Sequence, residues 1–352
     1  MTAVYAYYYP GWHLRDGARE WDAVRDARPY FPGHEQPHVP LLGYQDTSLP
    51  QTLVAQAALA NAYGVDGFLF DWYWKEGRPA EDESLEALLA ADTGFPFAIM
   101  WGFKTPRRRF PIHSLEDGDD GRWAGFDPER FTQWLEYCNE RYFSRPEYIR
   151  IGGKPHVTLY YLDGLVAHVG ATGVRETLAA GRAFMADKGG IHLTGIATRP
   201  VDDALGFDAL TGYNYLPDFT PGAPVLQDYE EMALRCAASW REIEQRSGVP
   251  FIPNISCGWD ATPRGVRKDR LVPELGFPWT PIITGATPER FGAALDRAIA
   301  FARERHDIVH VCSWNEWSEG NHLEPDTRYG YGFLEHVRAR TRQVQGSSAL
   351  GP

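Results

Sequence analysis

Two glutamates three residues apart, Glu316 and Glu319, alternate with two indoles, Trp314 and Trp317, in the segment Val311-Cys-Ser-Trp-Asn-Glu-Trp-Ser-Glu-Gly320. Two neighbouring carboxyl groups can divide the work of breaking a glycosidic bond. One donates a proton to the leaving oxygen while the other acts as base or nucleophile. Indole faces can stack on the sugar. The same residues also read as a solvated surface turn, because glutamate is abundant on surfaces. Taken alone, the segment leaves both readings open. The pair follows a short apolar run, Ile308-Val-His-Val-Cys312, and Gly320 closes the turn. A buried strand that opens into a loop is where a rigid scaffold presents reacting groups.

The elements that must position this pair alternate along the chain. Apolar runs at 3–9, 65–72, 95–101, 156–162, 191–198, 209–213, 251–256 and 308–312 predict eight strands. Helical patterns lie at 48–63, 85–91, 127–142, 173–187, 228–245, 287–305 and 332–342, with a short segment at 201–205. Ser48, Asp127 and Thr287 stand as N-caps, the last two followed by proline, and Gly64 and Gly248 as stops. Strands separated by helices imply parallel pairing with right-handed crossovers, and eight such units close into an α/β (β/α)₈ TIM barrel. An open doubly wound sheet would need a glycine-rich nucleotide-binding turn after a strand, and none occurs. Residues 1–345 are expected to form one barrel domain and 346–352 a disordered tail.

In such a barrel the C-terminal strand ends share one rim, and function collects there. The residues expected at that rim to bind substrate are Tyr8, Tyr9, Trp12, Asp71, Trp72, Trp74, Trp101, Lys104, Tyr160, Tyr213, Asn214, Trp259, Asn315 and Trp317, with His38 from the loop after the first strand. Rings for sugar faces, and amides and acids for hydroxyls, are what a saccharide cleft requires. Plugging the barrel top is the alternative role for part of the aromatic set. Asp71 could assist catalysis or tether a hydroxyl, or it could be tied to neighbouring backbone. Lys104 with Arg107 could meet an anionic sugar or stand as a solvated cation.

Bulk composition narrows the partners. The chain has 352 residues, 43% hydrophobic and 23% charged, which fits a globular protein. A formal charge of −12 argues against nucleic-acid and anionic-membrane binding. Aromatic residues reach 14%, with 12 Trp, a surplus that points to a carbohydrate-stacking cleft. Cys138, Cys236, Cys257 and Cys312 have no paired spacing, so neither a disulfide framework nor a zinc-cysteine site is expected. His34 and His38 are separated by Pro37 and share no helical face, so no metal site is predicted from them. No signal-peptide pattern and no apolar run long enough to span a bilayer is seen, which predicts a cytoplasmic location.

Several motifs in fixed order carry a resemblance. They are Glu20-Trp-Asp-Ala-Val-Arg-Asp-Ala-Arg-Pro-Tyr-Phe-Pro-Gly-His-Glu-Gln-Pro-His38, Tyr63-Gly-Val-Asp-Gly-Phe68, Ile149-Arg-Ile-Gly-Gly-Lys-Pro155, Gly258-Trp-Asp-Ala-Thr-Pro-Arg264, Thr284-Gly-Ala-Thr-Pro-Glu289, Trp314-Asn-Glu-Trp-Ser-Glu-Gly-Asn-His-Leu-Glu-Pro-Asp326 and Tyr329-Gly-Tyr-Gly332. Across roughly residues 5–340 the chain resembles the WbsX-type domain, which is labelled a glycosyltransferase and is related to glycoside hydrolase family 99. That family consists of retaining (β/α)₈ endo-α-mannosidases that use neither a metal nor an organic cofactor. The resemblance implies Glu316 as base toward the sugar's own 2-hydroxyl, which attacks the anomeric carbon, and Glu319 as acid/base. One departure stands at the third strand. The usual Trp-Ala-Asn-Glu-Asn-Trp is replaced by Met100-Trp-Gly-Phe-Lys-Thr105, which leaves the identity of the bound sugar open. The expected activity is retaining hydrolysis of an α-linked, mannose-like oligosaccharide or glycoconjugate. A glycosyltransferase is the second reading, and a non-catalytic sugar-binding barrel the third.

Overall fold

The computed structural model describes residues 2–14, 20–75, 77–103, 111–113, 125–199, 201, 203–215 and 217–341. Lys104, Arg107 and the expected tail at 346–352 lie outside these. The strands of the main sheet are β1 (Ala3–Tyr8), β2 (Gly67–Lys75), β3 (Phe97–Gly102), β4 (Lys154–Leu159), β5 (His192–Ile196), β6 (Ala209–Thr211), β7 (Phe251–Ile252), β8 (Asn254–Ser256) and β9 (Ile308–Cys312). These nine pair in the order β7-β6-β5-β4-β3-β2-β1-β9-β8, each pairing parallel, while two short strands of the same sheet, Arg78–Ala80 and Arg150–Ile151, pair antiparallel with β2 and β4.

Both ends of that path belong to one stretch of chain, 251–256, interrupted by Pro253. Proline has no N–H to donate to a ladder. Phe251–Ile252 therefore pairs with β6, and Asn254–Ser256 with β9. The Pro253 carbonyl still accepts from the His310 amide at 3.0 Å. The seventh stave is thus in two pieces and closes the ring, giving the expected (β/α)₈ barrel.

Helices α1 (Glu20–Asp26), α2 (Pro50–Ala62), α3 (Glu83–Ala91), α4 (Pro128–Cys138), α5 (Leu162–Met185, broken at Gly170), α6 (Tyr229–Ser247), α7 (Pro288–Arg303) and α8 (Gly332–Thr341) lie along the chain between and after the strands. Asp127 and Thr287 cap α4 and α7 by accepting from the Arg130 and Arg290 amides. Gly248 ends α6 in the left-handed region. Ser48 does not cap α2. Its hydroxyl and amide are taken by Asp46, and Leu49 precedes Pro50 without a side-chain cap. The short α1 was not foreseen, since its polar and aromatic surroundings read as loop. Among the described residues the β5–β6 connection carries no helix. No described helix is long and apolar enough to cross a membrane.

Alternation along each strand sorts side chains into two layers. Outward residues such as Phe68, Phe70, Trp72 and Trp101 pack beneath the helices. Tyr7, Thr194, Thr211, His156 and His310 fill the barrel interior, all fully buried. Nδ1 of His310 lies 3.2 Å from the Tyr7 hydroxyl and 3.1 Å from that of Thr211, and its ring stacks on His156 at 5.9 Å. Burial holds the His310 imidazole down at about 3.

This depression sets a sign. The unfolded chain takes up a proton near the ordinary value of about 6.5, which the folded chain refuses until far lower pH, so stability falls as pH drops below that value. Between pH 7 and 5 this one residue removes about 2 kcal/mol. His310→Asn, which keeps a polar side chain but removes the titratable ring, is expected to lose that much less stability over the same interval. Denaturant melts of both proteins at the two pH values check this.

Candidate active site

β9 ends at Cys312, and the chain then doubles back. Asn315–Glu316 pairs antiparallel with Asn321–His322, and Trp317–Glu319 forms a single 3₁₀ turn between them. Gly320, at φ +60°, makes the return. Ser313 fixes the start of this hairpin, accepting from the Glu316 amide at 2.9 Å and donating to the Asn321 carbonyl at 2.6 Å. The loop after β8 holds its outer side, where the Asp260 amide donates to the Glu319 carbonyl at 2.7 Å. A Cβ added at Gly258 would lie 2.7 Å from the Gly320 carbonyl oxygen, so only glycine fits this approach.

Glu316 and Glu319 converge. Arg264, in the 3₁₀ turn Thr262–Arg264, donates through one terminal nitrogen to Glu319 at 2.5 Å and through the other to Glu316 at 3.1 Å, while Nε donates to the Ser318 hydroxyl at 2.8 Å. Both carboxylates are almost wholly buried, at 4% and 8% exposure. Burial, then repulsion from Glu319, holds the Glu316 carboxyl well above the usual carboxylate range, against the pull of Arg264.

Asp71 supplies a third acid within electrostatic reach of Glu316, Glu319 and Arg264. Burial raises its pKa well above normal. One of its oxygens accepts from the Tyr213 hydroxyl at 3.1 Å, and the other has no hydrogen-bond partner. Asp71 is therefore not tied to backbone, and among the described residues its second oxygen is a buried acceptor without a partner. Three acids thus face one guanidinium, and burial favours keeping protons on the excess.

The other expected site residues divide by strand face. Tyr9, Tyr160 and Tyr213 belong with the acids. Tyr9 and Tyr213 lie close enough to Arg264 to raise its pKa, though burial is the larger influence there and acts the other way. Tyr160 is 36% exposed at the mouth and sets its ring at 79° to that of Tyr213. With Asn214 these two tyrosines line a cavity of about 370 Å³ that runs between the β4–β6 ends and α6. Trp259 is buried beside Phe219 and Phe277.

Six expected contacts are instead structural. Tyr8 points outward and donates to Gln56 of α2 at 2.7 Å. Trp72 packs on Trp74 and Trp134, and Trp101 stacks on Trp134 at 4.7 Å, all in the helix layer. The reason is the two-residue period. Asp71 faces the mouth, so Trp72 and Trp74 face away, and Trp101 is paired with Trp72. The Asn315 amide is used up by the Tyr9 backbone, accepting from its N–H at 2.7 Å and donating to its carbonyl at 3.0 Å. Trp12 is fully buried, donating to the Asn315 carbonyl and resting on Trp21.

Trp317, expected to touch sugar, is also wall. Its ring stacks on His322 at 3.7 Å and its N–H donates to Glu324 at 2.7 Å. Burial pushes the Glu324 carboxyl up to about 7 against hydrogen bonds from Trp317 and Gln56. His38 has its Nδ1 3.3 Å from Nε2 of His322, behind the hairpin. Lys104 lies outside the described residues.

Two residues were missed. Arg264 stood at the end of a quoted motif without a role, because a lone arginine in a loop has no spacing signal. Tyr73 follows the inward alternation from Asp71, and its ring covers Gly102, where a Cβ would meet it at 2.6 Å. Its hydroxyl feels Asp71 and Glu316. Reading alternation onward from Asp71 would have found it.

The family model described as "Glycosyltransferase WbsX" matches residues 6–337. The chain belongs to this family. Proteins named WxcX from two strains of Xanthomonas campestris pv. campestris are 30% and 29% identical over 96% of the chain. The chain spans about half the length of these curated relatives, 49% in each case. Among solved structures, the GH99 endo-alpha-mannosidase from Bacteroides thetaiotaomicron superposes with a TM-score of 0.62 at 16% identity, covering 98% of this chain and 99% of that one. A "Glycoside hydrolase-like protein" gives 0.63 at 15% identity, covering 97% and 94%. WbsX membership and a fold like that of the GH99 glycoside hydrolases therefore hold together.

Arg264 lowers the Glu316 pKa, so Arg264→Gln is expected to raise it further and leave this acid protonated to higher pH. If Glu316 must be ionised for turnover, the acidic limb of the pH–rate profile moves upward. An unmoved limb would remove Arg264 from control of the pair.

Proposed function

We propose that the chain is a retaining glycoside hydrolase acting on an α-linked, mannose-like oligosaccharide or glycoconjugate, with Glu316 as base and Glu319 as acid/base. The observation that carries this is the convergence of both carboxylates on the Arg264 guanidinium at the C-terminal mouth of the barrel. A hydrolase of this kind needs one acid protonated and one ionised at the same pH. Three acids beside one cation in a buried site favour such a mixed state, but burial raises the Glu316 carboxyl, so its role as base requires Arg264 to hold it ionised against that shift.

In the reaction that family 99 resemblance implies, Glu316 accepts the proton of the sugar's 2-hydroxyl as that oxygen bonds to the anomeric carbon. The glycosidic bond breaks, and the leaving oxygen takes the proton of Glu319. Water then opens the 1,2-anhydro ring, giving its proton to Glu319 while the 2-oxygen regains one from Glu316. Two inversions retain the anomeric configuration. In this reading Asp71, whose second oxygen has no partner among the described residues, and the tyrosines Tyr160 and Tyr213 would hold ring hydroxyls.

A second reading, transfer from an activated sugar donor, is favoured by the family's own description. Product analysis separates the two. Incubation with aryl α-mannosides and α-linked manno-oligosaccharides, followed by NMR, should show reducing ends released with retained configuration. Nucleotide release from sugar nucleotides would support the transferase instead. Glu316→Gln and Glu319→Gln should each lower turnover at least about a hundredfold with the fold unchanged by circular dichroism. Near-wild-type rates in either variant would defeat the assignment.

A further inference from the structure

Behind the glutamate hairpin, His38 meets His322 and Asp326, two residues of one short stretch, and potential metal-ligating atoms of all three come together. We propose that His38 Nδ1, His322 Nε2 and Asp326 Oδ2 form a site for a divalent cation of the zinc class. Bound there, the ion would fasten the loop after β1 to the hairpin that carries Glu316 and Glu319.

His322 lies on the hairpin's return strand, paired with Asn315. Its Nδ1 stands 3.1 Å from the Glu324 carbonyl oxygen. A carbonyl only accepts, so Nδ1 carries the proton and Nε2 presents a bare lone pair. That lone pair faces His38 Nδ1 at 3.3 Å and Asp326 Oδ2 at 3.9 Å. One ligand atom from each of the three residues lies within 4.8 Å of the others.

These separations suit one small ion. Two ligands each about 2.0–2.1 Å from a tetrahedral zinc stand about 3.3 Å apart. The histidine pair already has that spacing, and the carboxylate, 3.9 Å from His322 Nε2, would move inward to join it.

The outer hydrogen bonds are also of the kind that orient ligands. Besides the Glu324 carbonyl on His322, the other oxygen of Asp326 accepts from the Arg328 and Tyr329 amides at 2.9 and 2.6 Å. This turns Oδ2 toward the histidines. Trp317 stacks on the His322 ring at 3.7 Å and limits its rotation. Two imidazole nitrogens and one carboxylate oxygen select zinc, cobalt or nickel over magnesium or calcium, which take oxygen shells. A fourth position is left for water.

The site is separate from the sugar chemistry, and its test reads binding rather than turnover. The full chain, stripped with chelator and dialysed, would be titrated with zinc chloride by calorimetry and in thermal melts, and with cobalt for its visible absorption. One saturable zinc per chain, a raised Tm and a cobalt spectrum of low coordination number are expected. His38→Ala, His322→Gln and Asp326→Asn should each weaken zinc more than about tenfold. His38 is only half-buried, so its variant should fold even if the His322 one does not. Absence of saturable binding would overturn the proposal, leaving a plain hydrogen bond between the two rings. So would full-strength binding in the variants, which would place the zinc on other histidines.

Discussion

The site depends on one buried cation shared among too many buried acids. Arg264 spans Glu316 and Glu319, and Asp71 stands nearby with an oxygen unanswered. A guanidinium stays charged at any working pH and offers a planar fork, so it can hold two carboxylates at once where a lysine would meet one. It cannot neutralise three. Burial makes excess negative charge costly, and the cheapest relief is a retained proton. A protonated acid beside an ionised one then results from the charge count itself.

Such an arrangement works only if the acids cannot drift apart, and the hairpin is tied on every side. Ser313 and Asn321 hold its root, and Asn315 spends its whole amide on the Tyr9 backbone. On the far side Asp260 supports the turn. Burial opposes its ionisation, yet His34, Thr262 and Gln36 outweigh that and hold its carboxyl down at about 2. Its amide then meets the Glu319 carbonyl. These polar residues look like site chemistry in the sequence. Their hydrogen bonds are internal, and what they contribute is position.

The aromatic surplus has a similar explanation. Trp72, Trp74, Trp101 and Trp134 form a stacked layer between barrel and helices, and Tyr9, Trp12, Trp21 and Trp317 a second cluster beneath the mouth. Large flat rings fill the wedge between curved strands and crossing helices with few rotamers to freeze. Most of the tryptophan content that read as a sugar-stacking signal is thus packing. Among the described residues, the rings that stand with the acids at the mouth are tyrosines, which carry a hydroxyl for hydrogen bonding.

The sequence alone determined the barrel, most of its helix caps, and the placing of Glu316 and Glu319 where the last strand opens into a loop. These follow from local periodicities and from short-range rules for caps and turns, which a linear string carries in full. Tertiary structure decided which face each rim residue shows, so that Asp71 and Tyr73 join the acids while Tyr8, Trp72 and Trp101 turn away. It decided that Arg264, some fifty residues before the acids, would be their counter-ion, at a sequence distance of 52 from Glu316. It also decided that His38 would meet His322, 284 residues on, rather than its neighbour His34. Partners brought together by barrel closure leave no spacing in the chain, because the contact is set by the curvature of the sheet and not by the residues between them.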